Sequence, residues 1–369
     1  MLRTIILASA LLAGSSVAAQ DSAAAPTLLS ASEKLERVEE QAPLLLARHD
    51  VPSVGIAYIE DGAVAWVRHF GYQTWGFPAN EETLYNVASL TKPVTAEVIL
   101  RLVEAGRFSL DAPLADHHME EDVADDPRSR ELTARLVMRH RTGFPNWRYE
   151  TEGTLKFLRD PDTEIGYSGK GYEWMMKAAQ AAAGDDFEQL ASELVFEPAD
   201  MPLTGYTFAG KWVGHLAVPY KAGAGVYNVI RREPSASDDM RTTPREYARF
   251  MLSVFEGDAV SPELREEQFT IRHEARYRPA CKGEDRASFC PTRQGWGLGW
   301  TVYEWSHRTI YEHSGGDHGE KTLALYDPEA KRGMVLLTNG AEGFEVIKAL
   351  VETLDGDPVF LEFVNAPFG

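Results

Sequence analysis

Apolar residues recur at helical spacing among charges over 31–49, ASEKLERVEEQAPLLLARH, and the pattern then switches to strand-like runs in VPSVGIAYIEDGAVAWVRHFGY, broken at Asp61-Gly62. A helix followed by a β-hairpin is predicted. Toward the other end, GWGLGWTVYEW, RTIYEHSG, KTLALYDPE and RGMVLLTN read as short strands with turn residues between them, and EGFEVIKALVETL returns to the helical period. Between these ends the helix-like runs are VTAEVILRLVEAG, LTARLVMRHRTG, GYEWMMKAAQAAAG, FEQLASELVFEP and TPREYARFMLSVFEG, several closed by Gly or preceded by a Thr or Asp cap. The pattern predicts a helical lobe, roughly 90–270, inserted into an α+β lobe built from both ends. The cleft between two such lobes is the expected place for a site.

The first residues, MLRTIILASALLAGSSVAAQ, have one early arginine, an apolar run and small residues at Val17 and Ala19, the layout of a cleaved secretory signal over 1–19. That run is too short to span a bilayer, and no later segment reaches the length of about 18 apolar residues that spanning requires. A soluble, periplasmic or secreted chain over 20–369 is expected. With 37 basic against 56 acidic residues the net charge is -19, which repels nucleic acid and anionic lipid and argues against a polyanionic partner. Cys281 and Cys290 lie in one polar stretch, CKGEDRASFC, and in an oxidising compartment they are expected to pair as a structural disulfide. No metal set is expected. His273, the pair His117-His118 and the run Asp317-His318 do not supply three ligands at a recognised spacing.

In NVASLTKPVTAEVIL, Ser89 and Lys92 stand three apart at a helix start, because Pro93 belongs in a first turn and Ser89 is suited to cap it. Lys92 then shares a face with Ser89, and the positive helix end favours an anionic serine oxygen. A lysine so placed can accept the hydroxyl proton. At usage of roughly 6% for each residue, about one such pair is expected by chance in a chain this long, so the pair needs company.

That company is Tyr167-Ser168-Gly169-Lys170 and, later, His313-Ser314-Gly315-Gly316. Around these motifs the chain resembles the serine β-lactamase and penicillin-recognising family, above all its class C-like branch, which includes D-alanyl-D-alanine carboxypeptidases, esterases and D-amino-acid amidases. Further marks are LTARLVMRHRTGFPNW, FEQLASELVFEPADM, TTPREYARF, the Gly-Trp-Gly-Leu-Gly-Trp run at 295–300 and HSGGDHGEKTLALYDPE. The resemblance implies an α+β fold of the β-lactamase/transpeptidase type, an antiparallel sheet flanked by helices with an inserted helical lobe. It is one domain over 20–369, with the α/β lobe from about 31–88 and 271–360 and the helical lobe over about 89–270.

It also implies roles. Ser89 is the acyl-accepting nucleophile, Lys92 its partner and Tyr167 the phenol that shares the proton. His313, Ser314, Gly315 and Gly316 stand where other members have Lys-Thr-Gly and the following residue, lining the cleft, with the backbone N–H groups of Ser89 and Gly316 as oxyanion donors. No cofactor is implied. Two departures stand out: Gly169 occupies the asparagine position of the usual Tyr-x-Asn, and histidine replaces lysine at 313, leaving a group that is cationic or neutral depending on pH. Losing a side-chain amide at 169 weakens penicillin or peptide recognition more than acyl transfer itself. The rival elbow reading of Gly166-Tyr167-Ser168-Gly169 fails, because Lys170 stands where a glycine is required and the preceding FLRDPDTEIG is not a buried strand.

The resulting expectation is an exported serine hydrolase acting on a small ester, amide or lactam, esterase-like before lactam-cleaving. A D-Ala-D-Ala carboxypeptidase or β-lactamase, and a non-catalytic penicillin-binding-like protein, are the alternatives. A structural protein is disfavoured by the absence of any repeat or coiled-coil pattern.

Overall fold

The computed structural model describes residues 29–367, so the expected signal segment lies outside the described residues. Nine α-helices are described: α1 (Ala31–His49), α2 (Thr91–Glu104), α3 (Ala134–Met138), α4 (Gly169–Ala183), α5 (Phe187–Ala191), α6 (Pro244–Phe255), α7 (Pro262–Phe269), α8 (Gly343–Leu354) and α9 (Pro358–Asn365). The main sheet holds β1 (Ser53–Glu60), β2 (Ala63–Thr74), β3 (Phe77–Pro78), β4 (Arg293–Trp296), β5 (Thr301–Glu304), β6 (Thr309–Gly316), β7 (Lys321–Asp327) and β8 (Arg332–Thr338). Helix α1 has the predicted bounds. Ser30 and Glu33 form a reciprocal cap, and Val38, Ala42, Leu45 and Leu46 make its buried stripe.

The strands are antiparallel in the order β3-β2-β1-β8-β7-β6-β5-β4. Both ends of the chain therefore build one sheet, joined where Val54–Ile59 of β1 pairs with Gly333–Thr338 of β8. The two faces bury separate cores. Val54, Ile56, Tyr58, Ile310, Leu325, Met334 and Leu336 face α1, α8 and α9. Ala57, Ile59, Ala324, Tyr326, Val335 and Leu337 face the helical lobe. The period-two alternation of each strand makes that division.

Helix α2 is buried nearly all round, with Thr91 to Leu102 all buried. Its Glu97 has no exposed surface and is met by Arg101 and Arg265, both at 2.8 Å. Two predicted helices are shorter than their patterns. The run 132–143 is helical only over Ala134–Met138, because His140 (φ 55°) and Gly143 (φ 78°) adopt left-handed backbone that breaks the i→i−4 ladder. FEQLASELVFEP widens after Ala191 into a π-turn over Ser192–Phe196. Cys281 and Cys290 are bonded, with Cα atoms 5.6 Å apart. Among the described residues no helix is long and apolar enough to cross a membrane.

Strand β6 positions the site. It pairs with β5 only through Thr309–Glu312 but with β7 on to Gly316. Its free edge from His313 to Gly316 approaches the turn that precedes α2: Thr322 Oγ1 on β7 donates to Val87 O at 2.9 Å, and a Cβ on Gly315 would lie 3.0 Å from Ser89 N and 2.4 Å from Val87 O. Only glycine allows strand and turn to come this close.

Candidate active site

Ser89 lies in a short 3₁₀ turn, Ala88–Leu90, immediately before α2, so it precedes the helix instead of capping it. Its neighbour Ala88 has φ 47°, an unusual backbone state for alanine, over-determined by Asn86, whose Oδ1 accepts from Ala88 N at 2.9 Å while its Nδ2 donates to Asp239 at 2.9 Å. The strained turn leaves Ser89 partly exposed between buried residues.

Lys92, one turn along, is completely buried. Its Nζ donates to Ser89 Oγ at 3.1 Å and to the backbone carbonyl of Ser237 at 2.8 Å. Ser237 is fixed in turn by Glu173 on α4, whose Oε1 accepts from Ser237 Oγ at 2.6 Å, Ser237 N at 3.2 Å and Ser235 Oγ at 2.9 Å. The lysine is thereby aimed at the serine by three segments of chain.

Tyr167 comes to the same place, with Lys92 Nζ 4.7 Å from its ring centroid. The ring packs on His140 at 4.3 Å and lies 5.7 Å from Trp296 and 6.3 Å from His313. His140 Nδ1 accepts from Ser168 N at 3.2 Å, which leaves its proton on Nε2. His313 Nδ1 donates to Ser314 O at 2.8 Å, which leaves its Nε2 a bare acceptor. Neither Nε2 has a hydrogen-bond partner among the described residues. Both rings stay neutral: burial pushes His313 down to about 3 and His140 well below the ordinary range. Burial thus favours the neutral form of the position-313 group, one of the two forms its sequence allows.

Ser89, Lys92, Tyr167, His313 and Gly315 therefore converge, and Gly316 follows Gly315 on the free edge of β6. Ser314, expected among the substrate-binding groups, points the other way. The strand alternation places it with Glu312 on the α8 side, beside Leu323 and Phe344. Gly169 begins α4, and a Cβ there would lie 3.1 Å from both Asn146 Oδ1 and Ser237 Oγ. An amide does stand at this point, carried by Asn146, whose Oδ1 accepts from Gly169 N at 2.7 Å. Lys170 lies over the Trp147 ring.

Sequence reasoning assigned no role to His140, Asn146, Glu173, Ser237 or Trp296. His140, Asn146 and Trp296 lay inside the runs that marked the resemblance, but what they touch comes from distant segments. The cleft edge is acidic: carboxylate oxygens of Asp238, Asp239 and Asp317 lie within 4.8 Å of one another. Asp239 pairs with Arg231, whereas Asp238, pushed up to about 7 by burial and by Asp239, and Asp317 form no ion pair among the described residues.

The sequence model described as Beta-lactamase matches residues 35–355. Among curated proteins, penicillin-binding protein 4 of Amycolatopsis lactamdurans is 25% identical over 346 residues, 86% of this chain and 89% of that one. Esterase EstB of Burkholderia gladioli is 27% identical over 224 residues, 53% of this chain and 56% of that one. Among solved structures, the D-alanine carboxypeptidase AmpC of Burkholderia cenocepacia superposes with a TM-score of 0.71 at 18% identity, covering 89% of this chain and 99% of that one. A class C β-lactamase gives 0.71 at 14% identity, with 89% and 97% covered.

Proposed function

The chain belongs to the Beta-lactamase family, whose members are serine hydrolases, and we propose that it works as an exported esterase forming an acyl-enzyme at Ser89. The observation that carries this reading is the buried Lys92 amine 3.1 Å from Ser89 Oγ, held there by the Ser237 carbonyl. The Ser89 hydroxyl proton passes to the coupled Lys92–Tyr167 pair as Oγ bonds to the ester carbon. The carbonyl oxygen gains charge opposite the N–H groups of Ser89 and Gly316. The alcohol leaves with the proton, and water then releases the acid by the same route.

Three features favour esters over lactams. Position 169 lacks a side-chain amide, and the Asn146 oxygen is already occupied by Gly169 N. His313 is neutral where the resemblance implies a lysine. Asp317, joined by Asp238 as that acid ionises near 7, makes the edge repel the carboxylate of a penicillin or a peptide terminus. A carboxypeptidase or β-lactamase is the second reading, favoured by the penicillin-binding protein among the relatives.

Incubation of the whole protein with a fluorophosphonate, followed by peptide mass spectrometry, is expected to place the adduct on Ser89 alone. Steady-state kinetics should give a larger kcat/KM for nitrophenyl butyrate than for nitrocefin. An adduct on another serine would overturn the assignment, and the reverse kinetic order would overturn the ester preference.

A further inference from the structure

Behind the open edge of β6, on the sheet face away from Ser89, lies a cavity of about 470 Å³ between the sheet and helices α8 and α9. This volume is within the usual range for small-molecule sites. Its walls are mainly apolar, with Leu323 and Leu325 from β7, Phe344, Ile347 and Val351 from α8, and Phe360 from α9. The polar exceptions on the sheet are Glu312 and Ser314 of β6 and Tyr303 of β5. Glu312 accepts from the Tyr303 hydroxyl at 3.2 Å and forms no ion pair among the described residues. Desolvation pushes its acid up to about 7, against the pull of the Tyr303 and Ser314 hydroxyls and of the nearby Arg278.

A carboxyl group set in an apolar cavity is complementary to a cation attached to an apolar body, because the ion pair then forms where water competes least. Lys348 also lines the cavity, which makes an anionic amphiphile the competing occupant. The cavity reaches the catalytic edge at Phe344, whose ring, 42% exposed, would lie 3.4 Å from a Cβ on Gly316. We infer that this cavity is a second ligand site, for a hydrophobic primary amine whose ammonium pairs with Glu312, and that its occupancy is felt at Gly316 through Phe344.

The test uses phenylbutylamine, with phenylbutanol and phenylvalerate as neutral and anionic counterparts, titrated calorimetrically into the whole protein before and after the fluorophosphonate has blocked the catalytic serine. Phenylbutylamine is expected to bind both forms, and more tightly than either counterpart. Glu312→Gln, which keeps the shape, is expected to weaken it about tenfold or more. Ile347→Trp, which fills the cavity, is expected to abolish binding, and bound amine should change kcat for the ester in the parent protein but not in this variant. Loss of binding on serine blocking would place the amine in the catalytic cleft and overturn the inference. Equal or tighter binding of phenylvalerate, or indifference to Glu312→Gln, would overturn it as well.

Discussion

Replacing Lys92 by methionine keeps nearly the same volume while removing both of its hydrogen bonds, to Ser89 Oγ and to the Ser237 carbonyl. If the amine carries the serine proton, Lys92→Met is expected to lower kcat/KM for nitrophenyl butyrate by about 10² to 10⁴, the usual worth of a positioned base, and to slow fluorophosphonate labelling in parallel. A labelling rate equal to that of the parent protein would assign the proton to another group. Asn146 gives a second residue-scale check. Its amide oxygen is committed to Gly169 N, so Asn146→Ala frees that N–H and removes the one amide beside Gly169. Nitrophenyl butyrate turnover is expected to change by less than about tenfold, because the ester reading gives this amide no part in the chemistry. A loss as large as that from Lys92→Met would place Asn146 among the groups that hold the substrate.

At the scale of elements, the close approach of β6 to the Ser89 turn is a steric condition that can be tested directly. A methyl at position 315 would lie 2.4 Å from Val87 O and from Thr322 Oγ1, so Gly315→Ala must push strand and turn apart. The two proposed oxyanion donors sit on those two elements. Gly315→Ala is therefore expected to lower kcat about 100-fold, as loss of one such donor does, with a smaller change in KM. An unchanged kcat would mean that the donors lie elsewhere.

The same elements show what the sequence could disclose. Helix α1 was legible from its stripe, and the strands of the sheet from their alternation and turns. Ser89, Lys92, Tyr167 and His313 were legible because each lies in a local motif. The end of α3 was not, because no helix breaker precedes Gly143 in the run 132–143 while the backbone already turns left-handed at His140. The second anchor of Lys92 was not legible either, since Ser237 lies 145 residues away and contributes a backbone carbonyl, a group every residue carries.

For the whole molecule, buried histidines and buried acids set opposing dependences on pH. His140 and His313 are held neutral, and His69 is pushed down by burial to about 4, so on acidification through 6.5 the unfolded chain takes up protons that the folded chain refuses. That alone makes stability fall as pH falls. Glu312, Glu320 and Asp238 are pushed up to about 7, chiefly by burial, so between about 7 and 4.5 the folded chain takes up protons that the unfolded chain refuses, and stability rises as pH falls. Three groups of each kind nearly cancel over this window. Below about 4.5 the raised acids are protonated in both states and their effect is spent. There His140 and His313 still refuse protons, and groups such as Glu97, desolvated yet held below the usual range by Arg265 and Arg101, lose their ion pairs. Thermal midpoints are therefore expected to stay nearly level from pH 7 to 5 and to fall steeply below about 4. Glu312→Gln deletes one raised acid and unbalances the window, so the variant should lose stability from pH 6.5 to 4.5 at about 1.4 kcal/mol per pH unit more than the parent. Urea midpoints across this range measure the difference directly, and parallel profiles for the two proteins would show that Glu312 titrates as an ordinary surface acid.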